Sequence, residues 1–240
     1  MTNAAIPPPD PNKKIFDEYS GTYAQVVKDA TAFAGQEHAF YLRFKARLLQ
    51  KQIAAHFPQP NKTAVLDFGC GIGSMTELLA ADLPFLQGTD VSEQSIAVAR
   101  KRLPKVPFKV SQPTRLTYAD ASFDVIFAVC VFHHIPPELR VANVEELTRV
   151  LKPGGLLIIM EHNPYNPGTQ LVVRGCELDK DAVLLTKNEM TRLLKGPTRR
   201  AVYSAFFLFF PWDNKCTRFL ERCMRALPLG AQYVVTAKKL

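Results

Sequence analysis

Residues 65–73 read V-L-D-F-G-C-G-I-G: an apolar run from Val65 to Phe68 carrying one acid, Asp67, followed by glycines at every second position, Gly69, Gly71 and Gly73. A run this short and apolar suits the buried middle of a parallel sheet. Glycines at that spacing let the chain turn sharply and bring backbone N–H groups close to a ligand. Ser74 and Glu77 stand at capping-box spacing ahead of Leu78 and Leu79, which predicts a helix opened by Ser74. The dinucleotide fingerprint G-x-G-x-x-G, laid on Gly69 and Gly71, demands glycine at position 74, where this chain has Ser74. The pattern present is D-x-G-x-G-x-G. Taken alone it also fits an ordinary tight turn from strand to helix, so the rest of the chain decides.

Outward from this stretch, strands and helices alternate as in a doubly wound α/β sheet. The pattern predicts strand 64–68 with helix 74–81, strand 85–90 with helix 93–102 opened by Ser92, strand 108–111, and strand 123–129. Helix 138–151 follows, ended by Pro153-Gly154-Gly155, and then the wholly apolar strand 156–160. Segment 161–187 contains Pro164, Pro167 and Gly168 with little periodicity, and reads as an insertion beside the carboxyl edge of the sheet, where ligands bind in such folds. Thr186 and Glu189 have capping-box spacing for a short helix; strands 202–210 and 233–237, with helix 216–226 between them, close the chain. Upstream, Phe40, Tyr41, Phe44, Leu48, Leu49 and Ile53 recur at helical spacing and predict one amphipathic helix over 36–57. Segment 13–34, with Phe16, Tyr19, Tyr23 and Phe33, reads as one or two short helices, and 1–12, with Pro7, Pro8, Pro9 and Pro11, as a disordered tail. Three parts are therefore expected: the tail 1–12, a helical cap over 13–60, and a domain over 61–240 carrying the insertion at about 161–187.

With 240 residues, 47% of them apolar, the chain can bury one sizeable core. Its N-terminus has no apolar run, so neither a signal peptide nor a membrane anchor is expected, and the cluster 205–210 is too short to span a bilayer. Five cysteines, an odd number with no C-x-x-C pair, point to a reduced, cytoplasmic setting. Cys216 and Cys223 lie seven apart, which reads as packing on one helix face rather than metal ligation, and no metal site is expected. The net charge of +8 and pI near 9.3 raise nucleic acid or an anionic surface as a partner. The basic residues are spread out, apart from small clusters at 195–200 and at Lys238 and Lys239, so the excess reads as solvated surface.

Asp90 ends the second strand about 20 residues beyond the glycine loop, where doubly wound nucleotide-binding domains set an acid against a ribose diol. A carboxylate accepts two hydroxyl hydrogens at once, and a role in capping the helix at Ser92 is compatible with this. Residues 119–135, A-D-A-S-F-D-V-I-F-A-V-C-V-F-H-H-I, add an S-F-D-V strand followed by an H-H pair. In this order, D-x-G-x-G-x-G, the acid at Asp90, and S-F-D-V-I with H-H resemble the class I S-adenosylmethionine-dependent methyltransferases. The resemblance covers roughly 61–160 and the end strands. It implies a Rossmann-like sheet of about seven strands, mostly parallel with one antiparallel strand, under the N-terminal helical cap. It also implies S-adenosylmethionine as cofactor, leaving as S-adenosylhomocysteine, with Asp67, Gly69, Cys70, Gly71 and Gly73 at its amino-acid end and Asp90 at its ribose. Val91, Gln112, Pro113 and Val129 complete the expected cofactor contacts. Gln112 departs from the family, which often has an acid there for the adenine amine; its carbonyl oxygen accepts the same hydrogen bond without charge, and the backbone of Pro113 and Thr114 can contribute. Asp124 reads as a structural residue at a strand start.

Methyl transfer is an in-line displacement at carbon, and it needs a base only where the acceptor must lose a proton. His133 and His134 lie just past the fourth strand, and Glu161 and His162 just past the fifth, so the three histidines are the catalytic candidates. The competing reading has His133 packed and His134 only shaping the pocket. Candidate acceptor contacts are Tyr19, Tyr23, His38, Tyr41, His134, Asn163, Tyr165 and Arg174; their aromatic rings favour an aromatic or heteroaromatic acceptor. Asn163-Pro164-Tyr165 superficially resembles the N-P-P-Y loop used on exocyclic amines, yet it follows the fifth strand and lacks the second proline. The expected activity is therefore O- or N-methylation of a small biosynthetic metabolite, with a small-molecule partner, no membrane insertion and no nucleic acid. The alternatives are a methyltransferase acting on nucleic acid or protein, supported by the charge alone, a nicotinamide-dependent oxidoreductase, which Ser74 disfavours, and a non-catalytic cofactor-binding scaffold. The acceptor and the oligomeric state are not written in the sequence.

Overall fold

The computed structural model describes residues 13–19, 21–22 and 38–240. The expected tail 1–12 and segment 23–37, with Tyr23, lie outside the described residues. Strands β1 (Val65–Phe68), β2 (Leu86–Asp90), β3 (Phe108–Val110), β4 (Phe123–Val129), β5 (Leu151–His162), β6 (Arg199–Phe207) and β7 (Gln232–Lys239) form one sheet in the order β3-β2-β1-β4-β5-β7-β6. Strands β1 to β5 pair in parallel, and β7 runs antiparallel between β5 and β6. This is the Rossmann-like, mostly parallel sheet expected. Its strand order reverses between β1 and β4, the place where open α/β sheets form a crevice at their carboxyl ends.

The helices are α1 (Lys13–Tyr19), α2 (His38–His56), α3 (Ser74–Leu79), α4 (Glu93–Arg102), α5 (Pro137–Val150), α6 (Pro167–Gly175), α7 (Lys187–Leu194) and α8 (Lys215–Met224). Because successive strand side chains point to opposite faces, the sheet buries two apolar layers. On one face Leu66, Ile126, Leu157 and Val235 pack with Val144 and Leu147 of α5 and Met190 of α7. On the other, Val65, Val125, Ile158 and Val234 pack with Leu49 and Ile53 of α2 and Leu79 of α3. Helix α2 is thus part of the core: Leu49 and Ile53 are fully buried, and Gln52 accepts a hydrogen bond from Thr236 in β7.

Four local expectations change. Helix α3 is not opened by Ser74; its N-cap is Gly73, left-handed at φ 80°, with no side-chain cap. Ser74 and Glu77 instead meet Arg102 of α4, at 3.4 and 2.5 Å. Segment 161–187 is not irregular: it contains α6, capped by Asn166, whose side chain accepts from Thr169 N, with Pro167 in the first turn. Pro153-Gly154-Gly155 does not end α5, which stops at Val150, but lies within the start of β5, where the register against β4 shifts. Cys216 and Cys223 are exposed rather than packed.

Gly88 in β2 couples sheet packing to the glycine loop. A Cβ there would come within 2.5 Å of the Phe108 ring and 2.9 Å of Cys70 Sγ. Overpacking of this kind costs about 1–3 kcal/mol. Gly88→Ala is expected to lower the melting temperature by roughly 2–4 °C per kcal/mol in scanning calorimetry; an unchanged transition would show that β3 yields without cost.

Candidate active site

The first half of the site is built where β1 and β2 end. Gly69, Gly71 and Gly73 all have positive φ, at 72°, 51° and 80°. At Gly69 a Cβ would approach Val131 to 2.5 Å, so glycine is required there by both conformation and space. At Gly71 a Cβ would meet nothing within 4 Å, because the loop opens onto a cavity. Asp90 holds this loop: its Oδ2 accepts from Gly71 N at 2.8 Å and its Oδ1 from Ser92 N at 2.9 Å. Ser92 caps α4 by accepting from Ser95 N and donates to Asp17 of α1 at 2.6 Å. Behind the loop, Asp67 is buried and accepts from Thr76 Oγ1 at 2.6 Å. Burial, reinforced by Asp90 and opposed by the Thr76 hydroxyl, pushes its carboxyl up to about 7.

The second half lies past β4 and β5. Glu161, 1% exposed, accepts from Val131 N and Phe132 N on Oε1, at 2.8 and 2.6 Å. Its Oε2 takes His133 Nδ1 at 2.5 Å. The other nitrogen of His133, Nε2, lies 3.5 Å from Asp179 Oδ1, and His134 Nε2 lies 3.3 Å from the same oxygen. Asp179 comes from a 3-10 turn, Glu177–Asp179, and Val183 N donates to His133 O, so the segment after α6 is laced to the histidine pair. Burial works against charge throughout this cluster, yet His133 holds the Glu161 carboxyl down at about 2 and its hydrogen bond holds Asp179 at about 2. The two carboxylates lift His133 well above its ordinary value, while burial drives His134 down to about 3, helped by the charge on His133. Ligand atoms of His133, His134 and Asp179 lie within 4.8 Å of one another, a donor set that a divalent cation could use on displacing the His133 proton.

Both halves line one cavity of about 320 Å³. Phe16 of α1 and His38, Tyr41, Leu42 and Lys45 of α2 lie on its wall, and Phe16 meets the His134 ring edge-on at 4.9 Å. Burial and the neighbouring Lys45 push His38 down to about 4. Cys130, at φ 57°, receives Lys45 Nζ at 3.6 Å and Gln232 Nε2 at 3.4 Å. Burial would raise its thiol, but Lys45 and His162 bring it down to about 7.

Of the expected cofactor contacts, Asp67, Gly69, Cys70, Gly71, Asp90, Val91, Pro113 and Val129 line the cavity. Gly73 instead packs toward Ala99, Leu103 and Phe108, and Gln112 is exposed. Beside Gln112, Ser111 lines the cavity, and its buried Oγ has no hydrogen-bond partner among the described residues. Of the acceptor candidates, His38, Tyr41 and His134 line the cavity, as do His133 and His162. Asn163 is buried away from it, its amide donating to Pro228 O and Gly230 O. Tyr165 is 67% exposed, Arg174 is exposed, and Tyr19 is half-buried outside the lining. Lys45, Asp179 and Gln232 were not anticipated; each is far in sequence from every motif, and no local spacing marks them.

Residues 65–155 match the family model described as a methyltransferase domain. A 2-methyl-6-phytyl-1,4-hydroquinone methyltransferase from Synechocystis is 38% identical over 108 residues, covering 43% of this chain and 33% of that protein. A trans-aconitate 2-methyltransferase from Variovorax paradoxus is 34% identical over 139 residues, covering 56% of this chain and 53% of that protein. The chain thus spans about half or less of the length of these relatives. Among solved structures, a Thermotoga maritima S-adenosylmethionine-dependent methyltransferase, described as a possible histamine N-methyltransferase, superposes with TM-score 0.63 at 18% identity, covering 95% of this chain and 99% of that one. One from Archaeoglobus fulgidus gives TM-score 0.60 at 18% identity, covering 85% and 100%. Residues 65–155 are therefore a methyltransferase domain, set on the fold of the class I S-adenosylmethionine-dependent methyltransferases.

Proposed function

We propose that the protein is a cytoplasmic enzyme that moves a methyl group from S-adenosylmethionine to an oxygen or nitrogen of a small metabolite with a flat aromatic or heteroaromatic body. The observation that carries this reading is a shared cavity, lined both by the glycine loop with Asp90 and by His134, Phe16 and Tyr41. The residues fit the cofactor: Gly71 leaves open space, Asp90 offers a carboxylate at a strand end, and Ser111 offers an unpartnered buried hydroxyl. The hydroquinone named for the Synechocystis relative supports a ring acceptor. All five cysteines are free, in keeping with a reducing compartment.

When bound, the cofactor supplies an electrophilic methyl carbon on a sulfonium. The chain supplies position and dryness. Phe16, Tyr41, Leu42 and Val172 present apolar surface to the acceptor and exclude water from it. His133 is occupied on both ring nitrogens and is a positioning residue. His134 is the base: it lines the cavity with Nε2 3.3 Å from Asp179, and burial keeps it neutral. Its low proton affinity suffices, because an acceptor oxygen turns strongly acidic as its bond to carbon forms.

Three outcomes follow from these roles. Asp90→Asn should weaken S-adenosylmethionine binding at least about tenfold in titration calorimetry, a loss of roughly 1.4 kcal/mol; unchanged affinity would remove Asp90 from the ribose. His134→Ala should lower kcat about 100-fold with cofactor affinity preserved, and equal turnover would mean that the histidine only shapes the pocket. The pH dependence of stability tests the buried cluster. Glu161 and Asp179 titrate in the folded state at about 2, below the ordinary 4.5 and 3.8, so their stabilisation is complete above those values and lost as pH falls toward 2. The melting-temperature gap between wild type and Glu161→Gln should therefore be widest above about pH 5 and narrow on acidification. A gap independent of pH would contradict the ionised pairing.

A further inference from the structure

Helix α8, K-C-T-R-F-L-E-R-C-M, is inverted relative to a helix lying on a core: it buries Thr217 and Glu221 and exposes Phe219 by 59% and Leu220 by 42%. The cause is local. Glu221 Oε1 accepts from Phe209 N at 2.7 Å and from Phe210 N at 3.3 Å, and Thr217 Oγ1 donates to Trp212 O at 3.0 Å. These bonds satisfy the chain entering the helix and turn its polar face inward. Cys216, Phe219, Leu220, Cys223 and Met224 then fall at i, i+3, i+4, i+7 and i+8, an apolar stripe facing outward. Trp212 before the helix is 60% exposed, and Leu227 and Leu229 after it are 46% and 59% exposed. Lys215, Arg218, Arg222 and Arg225 are exposed around the stripe, with Arg218 engaging Asp213, while the one acid of the helix is buried.

We propose that this surface docks on an anionic membrane, with α8 lying in the headgroup region, its stripe with Trp212, Leu227 and Leu229 entering the acyl boundary, and Lys215, Arg222 and Arg225 meeting lipid phosphates. An apolar stripe beside basic residues is the combination that binds such interfaces, each part adding to the other. A second copy of this chain fits less well, since a two-fold contact through the stripe would set its cations against their own copies. The attachment is peripheral: among the described residues no helix is long and apolar enough to cross a membrane. The chain beyond the helix reaches the cavity wall at Leu229, whose carbonyl accepts from Asn166, a lining residue, at 2.7 Å. Resting on the proposed methyltransferase activity, this places the acceptor among apolar compounds dissolved in the bilayer.

The test is sedimentation of the full chain with vesicles, without cofactor, so that docking is read independently of methyl transfer. Vesicles of phosphatidylcholine with about 30% phosphatidylserine should carry the protein down, with binding at least about tenfold weaker to phosphatidylcholine alone or in 0.5 M salt. Phe219→Glu with Leu220→Glu should abolish sedimentation, and Lys215→Glu with Arg222→Glu should reduce it severalfold. Both pairs are surface changes, and their melting temperature and cofactor affinity should match wild type. Absence of binding to the anionic vesicles, equal binding by the variants, or a dimer in light scattering that the Phe219 and Leu220 changes dissolve would overturn the proposal.

Discussion

The carboxylate of Glu161 is the interaction on which the histidine side of the cavity depends. It is almost fully buried and takes three donors, two from the backbone just past β4 and one from His133. A buried charge without such partners would neutralise instead; with them it joins the end of β5 to the turn after β4. His133 then carries a proton that Asp179 answers from the other side, and Asp179 draws in His134. One carboxylate thereby fixes a loop, a helical turn and two imidazoles. Removing one partner from a buried pair of this kind costs about 3–5 kcal/mol, so the cluster is part of what holds the fold together.

The glycine-loop side obeys the same logic with different groups. Asp90 spends one oxygen on the glycine loop and the other on the start of α4, so the acid that faces the cavity also sets the shape of its floor. Through Ser92 the same corner reaches Asp17 of α1, which carries Phe16 onto the wall of the cavity beside His134. The two halves are therefore joined both through the sheet, at the reversal between β1 and β4, and across the cavity by the N-terminal helix.

The centre of the sheet was legible in the sequence because β1, β4 and the middle of β5 are largely apolar runs bounded by glycine, proline and acids, whereas β2, L-Q-G-T-D, is marked mainly by its place between two helices and by Asp90 at its end. Helix α6 was not legible, since Pro167 and Gly168 read as loop residues; yet proline in the first turn after an asparagine cap is a helix start, and Asn166-Pro167 carried that signal. Ser74 and Glu77 had capping-box spacing, but a left-handed Gly73 took the cap and freed both for Arg102. Asp67, Asp90 and the histidine pair could be named from motifs. Lys45 and Asp179 could not, because each reaches the site only through tertiary packing. Tyr165 and Arg174 were plausible by residue type and are turned outward, a choice that composition does not encode. Cys216 and Cys223 share a helix face as their spacing implied, but burial of Glu221 decided which face looks in.

In the proposed reaction one cavity holds the donor against Asp90 and the acceptor against His134. A crystal structure with S-adenosylhomocysteine bound tests it most directly. The ribose hydroxyls should lie on the Asp90 carboxylate, the amino-acid end over Gly69 to Gly71, and the sulfur toward His134. A nucleoside seated away from Asp90, or a sulfur turned away from His134, would contradict it.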